Sequence, residues 1–132
     1  GVEYCGFDFN AVAAICPAVD LLSPNFLMNV NVPVLLGDKW RKSKFKKYLD
    51  VNQIISADFP PFYVNTARND FLRKQCYKFN DILERNNIEH KFHDFDKPLS
   101  HVFNVVDPFS KYGDQANTEI AEFFKSRIKT KA

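Results

Sequence analysis

The sequence lacks a long uninterrupted apolar run, and its cysteines form no paired motif. Its longest apolar stretch, residues 11–22, is broken by Pro17 and Asp20 and is too short to span a bilayer. Its three cysteines are widely spaced, with no CxxC pair, which argues against a disulfide framework and against a cysteine zinc site. Because unpaired cysteines are typical of reducing compartments, we expect a cytoplasmic protein without a membrane span.

A strong excess of one charge is also missing. The formal net charge is +2 over 132 residues, which gives no argument for a nucleic-acid partner. The length is that of one domain, and 45% hydrophobic residues are enough for a buried core. Fourteen phenylalanines predict a bulky core, an apolar pocket, or both.

Apolar runs alternate with amphipathic helices along the chain. Strands are predicted over residues 11–16, 62–66 and 88–95, helices over 71–86 and 115–129, and a loop over 96–113. This order predicts an α/β fold, a parallel sheet flanked by helices. The first strand is apolar throughout and reads as buried on both faces, so it needs a neighbour that the three strands do not supply.

An irregular excursion separates the first two strands, at about residues 21–58. It contains a basic segment at residues 39–47, KWRKSKFKK, and a short helix is predicted near residues 43–49. The segment could bind phosphates or an anionic membrane surface. The alternative, which we favour, is a solvated amphipathic helix with Trp40 and Phe45 packed inward.

Asp70 and His101 are the most informative pair in the sequence. Each follows a predicted strand, and one helix separates them. Because parallel strands end at the same edge of a sheet, this places an acid beside a base, where a carboxylate can orient an imidazole. Asp70 could instead only cap the following helix, and His101 could be an ordinary loop histidine.

His90 and His93 form an HxxH pattern that could suggest a metal. On a strand, residues three apart point to opposite faces, so the two rings would not converge on one ion. We therefore predict no metal site there, and no cofactor.

Four stretches in order resemble the α/β-hydrolase fold in its carboxylesterase and lipase branch. They are AAICPAVD at residues 13–20, PPFYV at 60–64, NDFL at 69–72 and SHVF at 100–103, the last with Val102 in place of the family's glycine. The resemblance covers nearly the whole chain, residues 1–132, but only the C-terminal part of the family's domain. It implies a three-layer fold of which only the last three strands are present.

The resemblance also implies a function and a set of site residues. The triad order in this fold is Ser, acid, His, so the resemblance implies Asp70 as the acid and His101 as the base of a serine esterase or lipase that acts on a carboxylic ester with a small or medium acyl group. No GxSxG motif occurs in the chain, so the nucleophile is expected elsewhere and the chain alone is expected to be inactive. The resemblance further implies that the excursion carries lid elements over the acyl pocket. The candidates for contact with the acyl group are Phe26, Met28, Trp40 and Phe103.

Two rival functions stay open at this point. A peptidase of the same fold would use the same acid and base. A non-catalytic half-domain would act as an interaction module, pairing through the open edge of its first strand with the missing N-terminal half of the domain or with a second copy of itself.

Overall fold

A three-stranded parallel sheet forms the centre of the computed structural model, which describes residues 8–23, 32–34 and 36–128. The strands are β1 (Val12–Ile15), β2 (Phe62–Ala67) and β3 (His90–Phe95), and they lie in the order β1-β2-β3. In the register, Ile15 lies beside Asn65 on β2, and Ala67 lies beside Phe95 on β3. The predicted parallel α/β sheet is confirmed.

Helices cover both faces of this sheet. They are α1 (Arg73–Arg85), α2 (Phe103–Val106) and α3 (Lys111–Lys125). Alternate side chains of β2 point to opposite faces, as a strand requires. Val64 packs with Phe79 and Leu83 of α1, whereas Tyr63 meets Phe123 of α3 with ring centroids 6.0 Å apart. The described chain is therefore a three-layer α/β unit.

A charged cluster fixes α3 to its face of the sheet. Glu119 of α3 accepts hydrogen bonds from the ring of His93 on β3 at 2.8 Å and from the hydroxyl of Tyr63 at 3.1 Å, and Lys91 lies 3.3 Å away. Burial raises the pKa of Glu119, but hydrogen bonds from His93, Gln115 and Tyr63 outweigh it and lower the pKa to about 2.

The excursion closes on itself at its base. Asp20 forms an antiparallel bridge with Asp50, and the amide of Leu21 donates to the carbonyl of Leu49 at 2.6 Å. Between these points, Trp40 and Leu49 are buried with Val32 in a cluster separate from those on the sheet. The excursion therefore has a small apolar core of its own.

Three predictions about local structure need correction. The helix expected near residues 43–49 is instead a series of 3-10 helices, at Trp40–Lys42, Lys46–Leu49 and Val51–Gln53. Trp40 packs inward as predicted, but Phe45 stays 43% exposed. The region predicted as loop contains α2 and the start of α3.

The first strand is also less buried than predicted. All four residues of β1 are only half-buried, because β1 is an outer strand with β2 on one side only. Among the described residues, no helix combines the length and apolar character needed to cross a membrane.

The Glu119 cluster gives a pH-dependent stability. A carboxyl group whose folded pKa is lowered stabilises the native state above its unfolded pKa, and the contribution is lost as pH falls toward the folded pKa. We expect Glu119→Gln to lower the free energy of unfolding at neutral pH by about 1–3 kcal/mol. This deficit should shrink as pH is lowered from 4.5 to about 2, measured by urea unfolding.

Glu122→Gln is the matched control, because Glu122 is exposed on the same helix. Its unfolding profile should follow that of the wild-type chain. If the loss of unfolding free energy in Glu119→Gln stays constant across the acidic range, the lowered pKa of Glu119 in the folded state is contradicted.

Candidate active site

The turn after β2 and the loop after β3 lie side by side at the carboxyl edge of the sheet. The amide of Arg68 donates to the carbonyl of Lys97 at 3.1 Å, and the Arg68 Nε donates to Asp96 at 2.9 Å. These bonds hold the segment that bears Asp70 against the segment that leads to His101. Parallel strand order therefore brings the two side chains together, although they are 31 residues apart in sequence.

Asp70 is a buried carboxylate with donors from three directions. Its Oδ2 accepts from the hydroxyl of Thr66 at 2.7 Å. Its Oδ1 accepts from the amide of Leu72 at 2.9 Å and lies 2.8 Å from the Nδ1 of His101. The bond to Leu72 satisfies a backbone amide in the turn before α1. The N-cap residue of α1 is Leu72, which has no side-chain capping bond, so Asp70 pairs with His101 but does not act as the N-cap of the helix.

The electrostatics of Asp70 determine which nitrogen of His101 is basic. Burial raises the pKa of Asp70, but the bonds from Leu72, Thr66 and His101 outweigh it and lower the pKa below its ordinary value. An ionised carboxylate only accepts hydrogen bonds, so the Nδ1 of His101 carries the proton. In the neutral ring, Nε2 is then the acceptor, which is the state a general base requires.

The His101 side chain is partly exposed. Its exposed fraction is 30%, and the Phe71 ring lies against it with centroids 4.4 Å apart. In the part of the chain that the structure describes, no group makes a hydrogen bond to Nε2. His101 can therefore accept a proton from a group that approaches from outside the described residues.

Val102 follows His101 in a conformation that glycine adopts more easily. Its φ is 49° and its ψ is 38°, in the left-handed region, which is strained for a β-branched residue. Its amide donates to the Sγ of Cys16 at 3.3 Å. The glycine of the resembled family would adopt this backbone without strain.

Cys16 brings a sulfur close to both Asp70 and His101. One ligand atom from each of Cys16, Asp70 and His101 lies within 4.8 Å of the others. Burial raises the pKa of the Cys16 thiol to about 12, so the thiolate that a nucleophile or a zinc ligand needs is disfavoured. Asp70 and His101 already satisfy each other. The trio is therefore better explained as a hydrogen-bonded Asp70–His101 pair beside a buried thiol than as a metal site.

The structure places two of the four predicted substrate contacts. Trp40 is buried in the core of the excursion, and Phe103 is buried against Ala67 and Phe95 under α3. Phe26 and Met28 lie outside the described residues. A contact of any of the four with a substrate stays a prediction.

The HxxH histidines point to opposite faces, as predicted. The Nε2 of His90 lies 3.1 Å from the side-chain oxygen of Asn80 on α1, whereas His93 bonds to Glu119 on α3. Each ring therefore has a structural partner on its own side of the sheet.

Sequence reasoning missed the residues that support the acid. Thr66 is completely buried and bonds directly to Asp70, and Cys76 of α1 places its Sγ 3.8 Å from the same carboxylate oxygen. Gln75 connects α1 to the end of β1 by accepting from the amides of Val19 and Asp20. The sequence offered a hint only for Thr66, because a hydroxyl residue four positions before Asp70 on the predicted strand can bond to its carboxylate.

The strain at Val102 is testable on stability. We expect Val102→Gly to leave the free energy of unfolding unchanged or to raise it by up to about 1 kcal/mol, because relief of the left-handed strain offsets the entropy of glycine. Val105→Gly, at an exposed position of α2, should lower it by about 1 kcal/mol. Equal losses in the two variants, measured by denaturant unfolding, would show that Val102 is not strained.

Comparison with known proteins shows similarity only at the level of structure. No protein-family model matches the sequence, and no curated protein matches it significantly. Esterase B from Lactobacillus rhamnosis is similar with a TM-score of 0.77 and 20% identity, over 91% of this chain and 41% of that one. A Pyrobaculum calidifontis esterase has a TM-score of 0.69 and 19% identity, over 95% of this chain and 46% of that one.

A third similar structure is an esterase/lipase from an uncultured bacterium. Its TM-score is 0.70 at 18% identity, over 96% of this chain and 46% of that one. The chain thus spans less than half the length of the esterases that it resembles. The similarity in structure and the parallel strand order together show that this chain has part of an α/β-hydrolase fold.

Proposed function

We propose that this chain supplies the acid and the base of a serine hydrolase that acts on carboxylic esters. Asp70 is the acid, His101 is the base, and the nucleophilic serine lies outside the chain. The proposal depends on one observation, the 2.8 Å contact between the Oδ1 of Asp70 and the Nδ1 of His101, with Asp70 held by three donors.

The geometry supports a base that is ready for an incoming hydroxyl group. Nδ1 is occupied by Asp70, the His101 side chain is 30% exposed, and no described group forms a hydrogen bond with Nε2. His101 would accept the proton of the serine as it attacks the ester carbonyl carbon. It would then return that proton to the leaving alcohol and activate water to release the acid. Asp70 would hold the ring in one tautomer and stabilise the positive charge that forms on it.

The serines of the chain support a nucleophile from elsewhere. They are Ser23, Ser43, Ser56, Ser100, Ser110 and Ser126. Ser23 bonds to Asp20, Ser110 to the carbonyl of Asp107, and Ser126 to the carbonyl of Phe123. None of the six, all of which the structure describes, donates a hydrogen bond to the Nε2 of His101. The partner that brings the nucleophile is therefore a complementary part of the domain, because a second copy of this chain would carry the same six serines.

The substrate class follows from the structural neighbours. All three are esterases by name, and esterase B has also been solved with a tributyrin phosphonate inhibitor. For this chain we propose a carboxylic ester with a small or medium acyl group. Phe26, Met28, Trp40 and Phe103 are the proposed acyl contacts.

Two variants test this function in the complete natural reading frame that contains the chain. We expect hydrolysis of short-chain p-nitrophenyl esters, and we expect Asp70→Asn and His101→Gln each to lower kcat by roughly 10⁴-fold. The isolated chain should show no turnover above that of free imidazole.

Matched controls separate catalysis from folding. His90→Gln and Asp81→Asn change the same residue types on the α1 side, away from the pair, and both should keep the wild-type kcat. Full activity in Asp70→Asn or His101→Gln would overturn the proposal. A reading frame with no esterase activity would favour a non-catalytic module, and cleavage of peptides in preference to esters would favour a peptidase.

A further inference from the structure

The excursion presents a dense group of cations that the proposed active site does not use. We define the basic turn as residues 39–47. Six of the 18 Lys and Arg of the chain lie in these nine residues and none of the 16 Asp and Glu does, so the rest of the chain has twelve basic and sixteen acidic side chains. A nearly neutral protein therefore carries a concentrated positive surface.

All six cationic side chains of the basic turn are exposed. Of these, Lys39, Arg41, Lys42, Lys44 and Lys46 have no ion pair with an acidic residue in the described part of the chain. The nearest following acid, Asp50, bonds instead to its own neighbours Asn52 and Gln53. Within the described residues, no ion pair therefore neutralises the charge of these five side chains.

The backbone of the basic turn is held in place from beneath. Trp40, its buried residue, packs with Val32 and Leu49, and it begins the first of two short 3-10 helices, Trp40–Lys42 and Lys46–Leu49. Phe45 is the exception, since its ring is 43% exposed and has a lysine on each side in sequence. A cationic surface with one exposed aromatic ring resembles, in its chemistry, the surfaces that bind anionic lipid headgroups.

The aromatic rings of the basic turn favour a membrane over a nucleic acid. The Nζ of Lys44 lies 5.1 Å above the Phe45 ring, and the Tyr48 ring lies 6.4 Å from it. The ring of Trp40 is buried and is covered by Arg41 at 4.5 Å. Single-stranded nucleic acids need ring faces on which bases can stack, whereas a lipid surface needs only charge and an apolar group that inserts.

We propose that the basic turn binds the surface of membranes that contain acidic phospholipids, with Lys42, Lys44 and Lys46 on the headgroups and Phe45 at the acyl boundary. This function does not depend on the proposed hydrolase activity. Its role would be to place the chain at an interface where the lipids carry negative charge.

Vesicle binding of the chain tests this surface. We expect binding to vesicles of equal parts phosphatidylcholine and phosphatidylglycerol, and none to phosphatidylcholine alone. Raising the salt from about 0.05 M to about 0.5 M should abolish the binding. Changing Lys42, Lys44 and Lys46 together to Gln should weaken it by roughly 100-fold, because each cation near an anionic surface contributes roughly fivefold.

The control removes three other exposed lysines, Lys74, Lys97 and Lys125, also by change to Gln. It has the same net charge as the first variant and should lose less than roughly fivefold. Phe45→Ser should weaken binding by roughly tenfold, whereas Phe109→Ser, at a position 95% exposed elsewhere, should not.

Three results would overturn the proposal. They are equal binding to both kinds of vesicle, equal losses in the two triple-lysine variants, and tighter binding to a single-stranded RNA than to the acidic vesicles at the same salt. The last result would assign the basic turn to nucleic acid instead.

Discussion

The buried carboxylate of Asp70 is the constraint on which the site depends. An isolated charge in that position would be costly, so it requires donors. They come from the end of β2 through Thr66, from the start of α1 through Leu72, and from the loop after β3 through His101. Satisfying one carboxylate therefore fixes three separate segments relative to one another and leaves one nitrogen of His101 basic.

The two faces of the sheet are fastened by different means. On the α1 side, packing of Val64 with Phe79 and Leu83 is supplemented by the contact of Lys78 with Asp20. On the α3 side, a small apolar cluster is supplemented by the hydrogen bonds of Glu119 with His93 and Tyr63. Because β2 alternates between these faces, one six-residue strand connects both arrangements. Asp70 follows the end of that strand, where both layers restrict the backbone.

Much of this fold was predictable because local patterns agreed with it. The apolar stripe that includes Cys76 and Phe79 predicted α1 to within two residues at each end, and alternation of strands and helices predicted parallel pairing. The beginning of α3 was missed because Gly113 suggests a loop. In the structure a Cβ at this position would lie 2.0 Å from the carbonyl oxygen of Asp107, so glycine is required inside the first turn of the helix. The exposure of Phe45 and of β1 was not predictable, because it depends on which other segments pack against them and no local sequence pattern reveals this.

The central claim is that Asp70 holds His101 in the tautomer protonated at Nδ1. A long-range ¹H–¹⁵N correlation spectrum of the chain, at a pH where the ring is neutral, measures this directly. The structure predicts a protonated Nδ1 and an unprotonated Nε2 for His101, and loss of this preference in Asp70→Ala. A ring protonated at Nε2, or a spectrum unchanged by Asp70→Ala, would contradict the account.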